Sequence, residues 1–102
     1  MKVDKRALPL GPVLEQLYAL IANRKQTLPD KSYTTYRFNQ GLDKILKKLG
    51  EETTETVIAA KNVAKHPLIA EVSDLTYHLL VLLVERGVEL DEIAIELESR
   101  RD

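Results

Sequence analysis

An all-α domain is the fold this chain predicts, and three features carry that prediction. Apolar residues recur at helical spacing through most of the sequence from Val13 onward. Pro12, Pro29, Pro67 and Gly87 punctuate those segments, and no stretch alternates apolar with polar as a half-buried strand would. The expected architecture is an antiparallel helical hairpin, completed into a multi-helix bundle by dimerisation.

A chain of 102 residues predicts one domain spanning 1–102, and 44% hydrophobic residues give it a thin core that a second copy would reinforce. Fifteen basic residues against sixteen acidic ones leave no overall positive field, so nucleic-acid binding is not expected and any phosphate binding must be local. Without cysteine there is no disulfide, thiolate metal site or cysteine nucleophile, which suits a reducing compartment. Met1 to Arg6 lack the apolar run of a signal peptide, and the longest apolar run, Leu79 to Val84, is too short to span a bilayer. A cytoplasmic protein with no membrane partner is the expectation.

Residues 1–10 are unpatterned and read as a loosely held arm. Gly11-Pro12 should open the first helix, with Val13, Leu14, Leu17, Leu20 and Ile21 as its apolar face to about Asn23. Arg24 and Lys25 then complement its carboxyl-terminal dipole or contact a phosphate. Gln26 to Thr35 reads as a polar loop turning at Pro29-Asp30, and Tyr36 to Gln40 as a short helical turn broken near Gly41. Helical period resumes at Leu42, Ile45, Leu46 and Leu49, runs through Gly50, and should end near Lys65-His66-Pro67. Leu68 to about Arg86 forms the next helix, closed by Gly87 and apolar nearly all round from Leu79 to Val84, which predicts burial on two sides. Asp91 should cap a last helix that docks through Ile93, Ala94 and Leu97.

The chemistry lies in two acidic pairs. Glu52 with Glu55, and Glu71 with Asp74, are spaced three apart and so share a helix face. Advancing about 100° per residue from Ile45, the core stripe is Leu49, Thr53, Thr56, Val57, Ala60 and Ala64. Lys48, Glu52 and Glu55 fall together at its border, and Glu51 points farther away. In the later helix Glu71, Asp74 and His78 form one strip, beside Leu68, Val72, Leu75, Leu79 and Leu82. Packing the apolar strips would bring the acids face to face. Buried together they would repel strongly, and a hard divalent cation such as Mg2+, which prefers oxygen ligands, reverses that sign. Lys48 shares the acidic face and could meet a phosphate bridged to the metal. His78 is expected to orient Asp74 rather than ligate Mg2+. Tyr33, Tyr36 and Tyr77 are expected to pack, with Tyr33 also placed to touch a nucleotide.

Lys47-Lys48-Leu49-Gly50-Glu51-Glu52-Thr53-Thr54-Glu55, the Ile58-Ala59-Ala60-Lys61 that follows, and Glu71 to Leu83 together resemble the phosphoribosyl-ATP pyrophosphohydrolase family of histidine biosynthesis. Arg24-Lys25 and Ser32-Tyr33-Thr34 match its pattern too, and the resemblance spans Leu14 to Arg100. The E-x-x-E then E-x-x-D arrangement alone marks only the wider all-α nucleotide pyrophosphohydrolase superfamily. Thr53, Thr54 and Thr56 depart from the small or apolar residues common in the family. Members also occur fused to a cyclohydrolase domain, for which this chain has no room.

The resemblance implies Mg2+-dependent hydrolysis of 1-(5-phosphoribosyl)-ATP to 1-(5-phosphoribosyl)-AMP and pyrophosphate. It implies Glu52, Glu55, Glu71 and Asp74 as metal ligands, and Glu51, Glu52 and Glu55 as the catalytic carboxylates. Glu51 would be an auxiliary ligand or a water-orienting base. Arg24, Lys25, Ser32, Tyr33, Lys44 and Lys48 are implied as substrate and phosphate contacts. Two other readings stand beside this one: a housecleaning nucleoside triphosphate pyrophosphohydrolase, and a non-enzymatic helical interaction module whose acids are a solvated face.

Overall fold

The structure, a computed structural model, describes residues 8–102, so most of the expected arm lies outside the described residues. Those residues form five helices: α1 (Leu10–Thr27), α2 (Tyr33–Gln40), α3 (Leu42–Ala60), α4 (Lys65–Arg86) and α5 (Leu90–Ser99). The class is all-α as the periodicity predicts. The α3–α4 hairpin is the most extensive packing in the molecule, and α1 and α2 lie against it.

Ile21, Ile45, Leu80, Val81 and Val84 make the central cluster, with Leu14, Leu17, Tyr18, Phe38 and Leu83 against it. Full burial of a side chain such as Ile45 contributes about 1.5–3 kcal/mol. The α1 end is tied across the fold by Tyr18, whose hydroxyl donates to the Val88 carbonyl at 2.7 Å. α5 is peripheral, and every residue from Asp91 to Ser99 is exposed.

Several boundaries differ from the expectation. α1 begins at Leu10, which places Pro12 inside its first turn, and it continues to Thr27. Leu28 then closes it in the left-handed region (φ 45°), its N–H donating to the Arg24 carbonyl. Ser32, one of the hydroxyl residues of that segment able to cap a helix, is the N-cap of α2, accepting from the Thr35 amide at 3.2 Å, and Tyr33 to Thr35, expected in the loop, are helical. Gly41 joins α2 to α3 at φ 87°, ψ 172°, a conformation essentially confined to glycine.

The hairpin turns at 61–64 rather than at Pro67. Lys65, His66 and Pro67 form the first turn of α4, where the missing proline N–H has no intrahelical partner to lose. Gly87 ends α4 at φ 70°, as expected. Glu89, not Asp91, caps α5, through reciprocal bonds with Glu92 that form a capping box.

The α3 side facing α4 also differs. Ile45, Glu52 and Ala59 are buried with Leu49 and Thr56 half-buried between them, whereas Thr53, Val57 and Ala60 face outward. The two sets lie about one residue, or 100°, apart on the helix. Glu52 is therefore on the packed seam itself rather than at its border. α4 likewise leaves Ile69, Val72 and Leu79 exposed. Its length and mean hydropathy of 1.5 are sufficient to cross a membrane. In this fold, however, Glu71 faces α3, and Leu80, Val81 and Val84 supply the core.

Candidate active site

Because Glu52 occupies the seam of α3, its carboxylate is carried into the hairpin, where it is only 3% exposed. One carboxylate oxygen accepts from Lys48 Nζ at 3.0 Å, one helical turn back. The other, Oε2, is buried with no hydrogen-bond partner. The single Thr56 O–H donates to the Glu52 carbonyl at 2.8 Å and leans toward the Glu71 carbonyl of α4, 3.4 Å away, which sets the two helices side by side at this level. Glu71 thus faces Glu52, and Glu71 Oε2 is also buried without a partner. Carboxylate oxygens of Glu52, Glu55 and Glu71 all lie within 4.8 Å of one another.

Burial pushes the Glu71 carboxyl above its ordinary value, and a side-chain hydrogen bond to Glu55 adds to this, with the charges of Glu55, Glu52 and Asp74. Convergence of the three carboxylates therefore favours the protonated form of Glu71. Two orphaned buried oxygens among three convergent carboxylates fit a hard divalent cation. Lys48 is held protonated chiefly by its bond to Glu52.

Asp74 does not join the trio. It is exposed and lines an adjoining cleft of about 370 Å³ with Tyr33, Lys48, Glu52, Tyr77 and His78. His78 is buried, with Nδ1 against the Asp74 carbonyl at 2.7 Å and Nε2 against the Tyr33 hydroxyl at 3.1 Å. The carbonyl can only accept, so Nδ1 carries the proton and Nε2 accepts from Tyr33. Both nitrogens are engaged within the chain, which leaves no lone pair for a metal. Tyr77 stands edge-on to His78, and its hydroxyl bonds Thr34.

On the other side of Lys48 is a smaller hollow of about 110 Å³ lined by Arg37, Gln40, Lys44, Lys47, Lys48 and Glu51. Glu51 and Lys44 therefore sit together here, one helix face away from the carboxylate trio. Three expected phosphate contacts are not brought to either hollow. Lys25 pairs with Glu85 at 3.2 Å and lies over the Phe38 ring, and Glu85 is about 21 Å along α4 from Glu71 at 1.5 Å per residue. Arg24 bonds its neighbour Asn23, and the Ser32 hydroxyl is committed to capping α2. Arg24 and Lys25 lie in the last turn of α1, and Ser32 stands at the N-cap of α2. Arg37 was not singled out from sequence. It is 7% exposed, and nothing in the local spacing signals that α2 folds it over the lysines of α3.

Comparison with known proteins bears on this arrangement. The family model described as phosphoribosyl-ATP pyrophosphohydrolase matches residues 14–101. The chain is 60% identical over 88 residues to a phosphoribosyl-ATP pyrophosphatase of Listeria monocytogenes serotype 4a (strain HCC23), covering 86% of this chain and 84% of that one. It is 55% identical over 89 residues to a phosphoribosyl-ATP pyrophosphatase of Clostridium novyi (strain NT), covering 87% and 81%. A histidine biosynthesis bifunctional protein HisIE of Caldanaerobacter subterraneus is 54% identical over 88 residues, which are 86% of this chain but 43% of that larger protein. The matched region takes in the carboxylate trio, Lys48 and both flanking hollows, and the chain belongs to the phosphoribosyl-ATP pyrophosphohydrolase family.

Proposed function

We propose that this protein hydrolyses 1-(5-phosphoribosyl)-ATP to 1-(5-phosphoribosyl)-AMP and pyrophosphate, the second step of histidine biosynthesis, with Mg2+ held by Glu52, Glu55 and Glu71. The observation that carries the chemistry is the pair of buried, unpartnered oxygens on Glu52 and Glu71 beside Glu55. The substrate rests on the family. When bound, the cation supplies charge neutralisation for the triphosphate and polarises water.

The protein's own groups have separable roles in this reading. Glu52 and Glu71 project from facing helices and fix the spacing of the acidic wall, with the Thr56 hydroxyl between their backbone carbonyls. Glu55, the exposed member of the trio, takes the proton from the water whose oxygen bonds to the α-phosphorus as the α–β anhydride bond breaks. Lys48 steadies Glu52 and offers its ammonium to the departing diphosphate. Asp74 lines the adjoining cleft, where it borders the bound substrate. The reading predicts rapid turnover of 1-(5-phosphoribosyl)-ATP and at least about 100-fold lower kcat/KM for unmodified nucleoside triphosphates. Comparable turnover across a nucleotide panel would indicate a housecleaning enzyme instead.

A homodimer belongs to the same proposal. Among the described residues six apolar side chains are buried, and the radius of gyration of 15.0 Å exceeds the roughly 13 Å of a compact chain this long. Leu46, Val57 and Ile58 on α3 and Ile69, Val72 and Leu79 on α4 are exposed apolar residues for a second copy to cover. Sedimentation should give twice the chain mass, and Ile58→Glu should shift it toward the monomer. A wild-type monomer at micromolar concentration would contradict this. A cytoplasmic location accompanies the biosynthetic role.

A further inference from the structure

We infer that Arg37 is a pyrophosphate-binding residue, which with Lys44, Lys47 and Lys48 forms a subsite for the leaving group. The inference rests on the hydrolase reading only for the identity of the anion. Arg37 is an unusual residue in its place. It is 7% exposed, no carboxylate pairs with it among the described residues, and its Nε is buried without a partner. One Nη2 bond to the Lys44 carbonyl (3.1 Å) and the faces of Tyr33 and Tyr36, 5.8 and 5.7 Å away, hold the guanidinium in position. These contacts orient the charge without neutralising it. A buried cation lacking a counter-ion is unfavourable in the free protein, and an anion arriving in the hollow removes that penalty.

Size and charge assign the two hollows different parts of one substrate. The larger cleft, about 370 Å³ with Tyr33, Tyr77 and His78 in its wall, is within the range of pockets that hold nucleoside-sized ligands. The smaller, about 110 Å³, has four cationic side chains against one carboxylate, Glu51, and suits a small dense anion. They meet at Lys48, which lines both and bonds Glu52 of the acidic trio. A triphosphate whose α-phosphorus lies at the trio with its nucleoside in the cleft extends its β- and γ-phosphates toward Arg37. Cleavage then leaves the diphosphate on the side where the cations are.

The test is calorimetric titration of the full chain with inorganic pyrophosphate and, separately, ribose 5-phosphate, in EDTA at low salt. Arg37→Met is compared with wild type, and Arg37→Lys serves as the charge-conserving variant. Pyrophosphate should bind wild type, about 10-fold or more weaker to Arg37→Met, and to an intermediate degree to Arg37→Lys. Arg37→Met should melt at the wild-type temperature or above it, since an apolar residue of similar length replaces an unpaired buried charge. Equal pyrophosphate affinity in wild type and Arg37→Met, tighter binding of ribose 5-phosphate than of pyrophosphate, or no pyrophosphate binding at all would each overturn the assignment. A lowered melting temperature with unchanged affinity would make Arg37 purely structural. Turnover is not read in these titrations, so failed hydrolysis alongside Arg37-dependent binding would defeat the catalytic reading and its leaving group while keeping Arg37 as a pyrophosphate-binding residue.

Discussion

Glu55→Gln is expected to lower turnover of 1-(5-phosphoribosyl)-ATP by at least about 100-fold while leaving the helical fold intact. Loss of groups that merely support a metal ligand already costs about 10–100-fold, and the proposed reading makes Glu55, within 4.8 Å of Glu52 and Glu71, a ligand and proton acceptor itself. The amide keeps the side-chain shape but cannot take the water's proton and binds a hard cation less well. Stability should not fall, because Glu55 is exposed and its charge lies within 4.8 Å of two like charges. Circular dichroism with steady-state kinetics checks both halves. Unchanged activity would return the acids to the status of a solvated face, as a non-enzymatic module requires.

The second large effect is on stability and depends on the cation. The folded-state pKa of Glu71 is raised above its ordinary 4.5, so the folded protein binds this proton more tightly than the unfolded chain does. The associated stability is fully present below the ordinary value and is lost as pH rises through the raised one. In EDTA, the urea midpoint of wild type should therefore decline across that window relative to Glu71→Gln, which has no proton to lose. Saturating Mg2+ should reverse the ranking near neutral pH. A cation at 100 times its dissociation constant adds about 2.7 kcal/mol to the state that binds it, and Glu71→Gln should gain less. Parallel pH profiles for the two proteins in EDTA would show that the trio is not strained.

The acidic pairs were legible because E-x-x-E and E-x-x-D fix a shared helix face whatever the helices pack against. The inward side of α3 was not. Its residues Leu49, Thr56 and Ala59 and its residues Thr53, Val57 and Ala60 form two small-to-apolar stripes about 100° apart, and periodicity cannot choose between them. The structure turns the first inward and leaves the second exposed. Pro67 was a poor guide to the hairpin turn because a proline is compatible with both the residue after a helix and a helix's first turn.

The basic residues were legible in proportion to how local their partners are. Lys48 finds Glu52 one turn away on its own helix, which spacing alone reveals. Lys25 finds Glu85, sixty positions along the chain, and Arg37 finds the Lys44 carbonyl only because Gly41 folds α2 back. Asp74 shows the same limit at shorter range. Spacing puts it on the strip of Glu71, yet it lines the cleft and is not among the convergent carboxylates.

The claim beneath all of this is that Glu52 and Glu55 of α3 and Glu71 of α4 share one divalent cation. Crystals soaked in Mn2+, which takes the same oxygen ligands and scatters anomalously, test it directly. The account predicts an anomalous peak bonded to oxygens of all three carboxylates, and its absence from Glu55→Gln crystals or a marked loss of occupancy there. Fully soaked wild-type crystals with no peak between the two helices, or with manganese only at scattered surface acids, would contradict it.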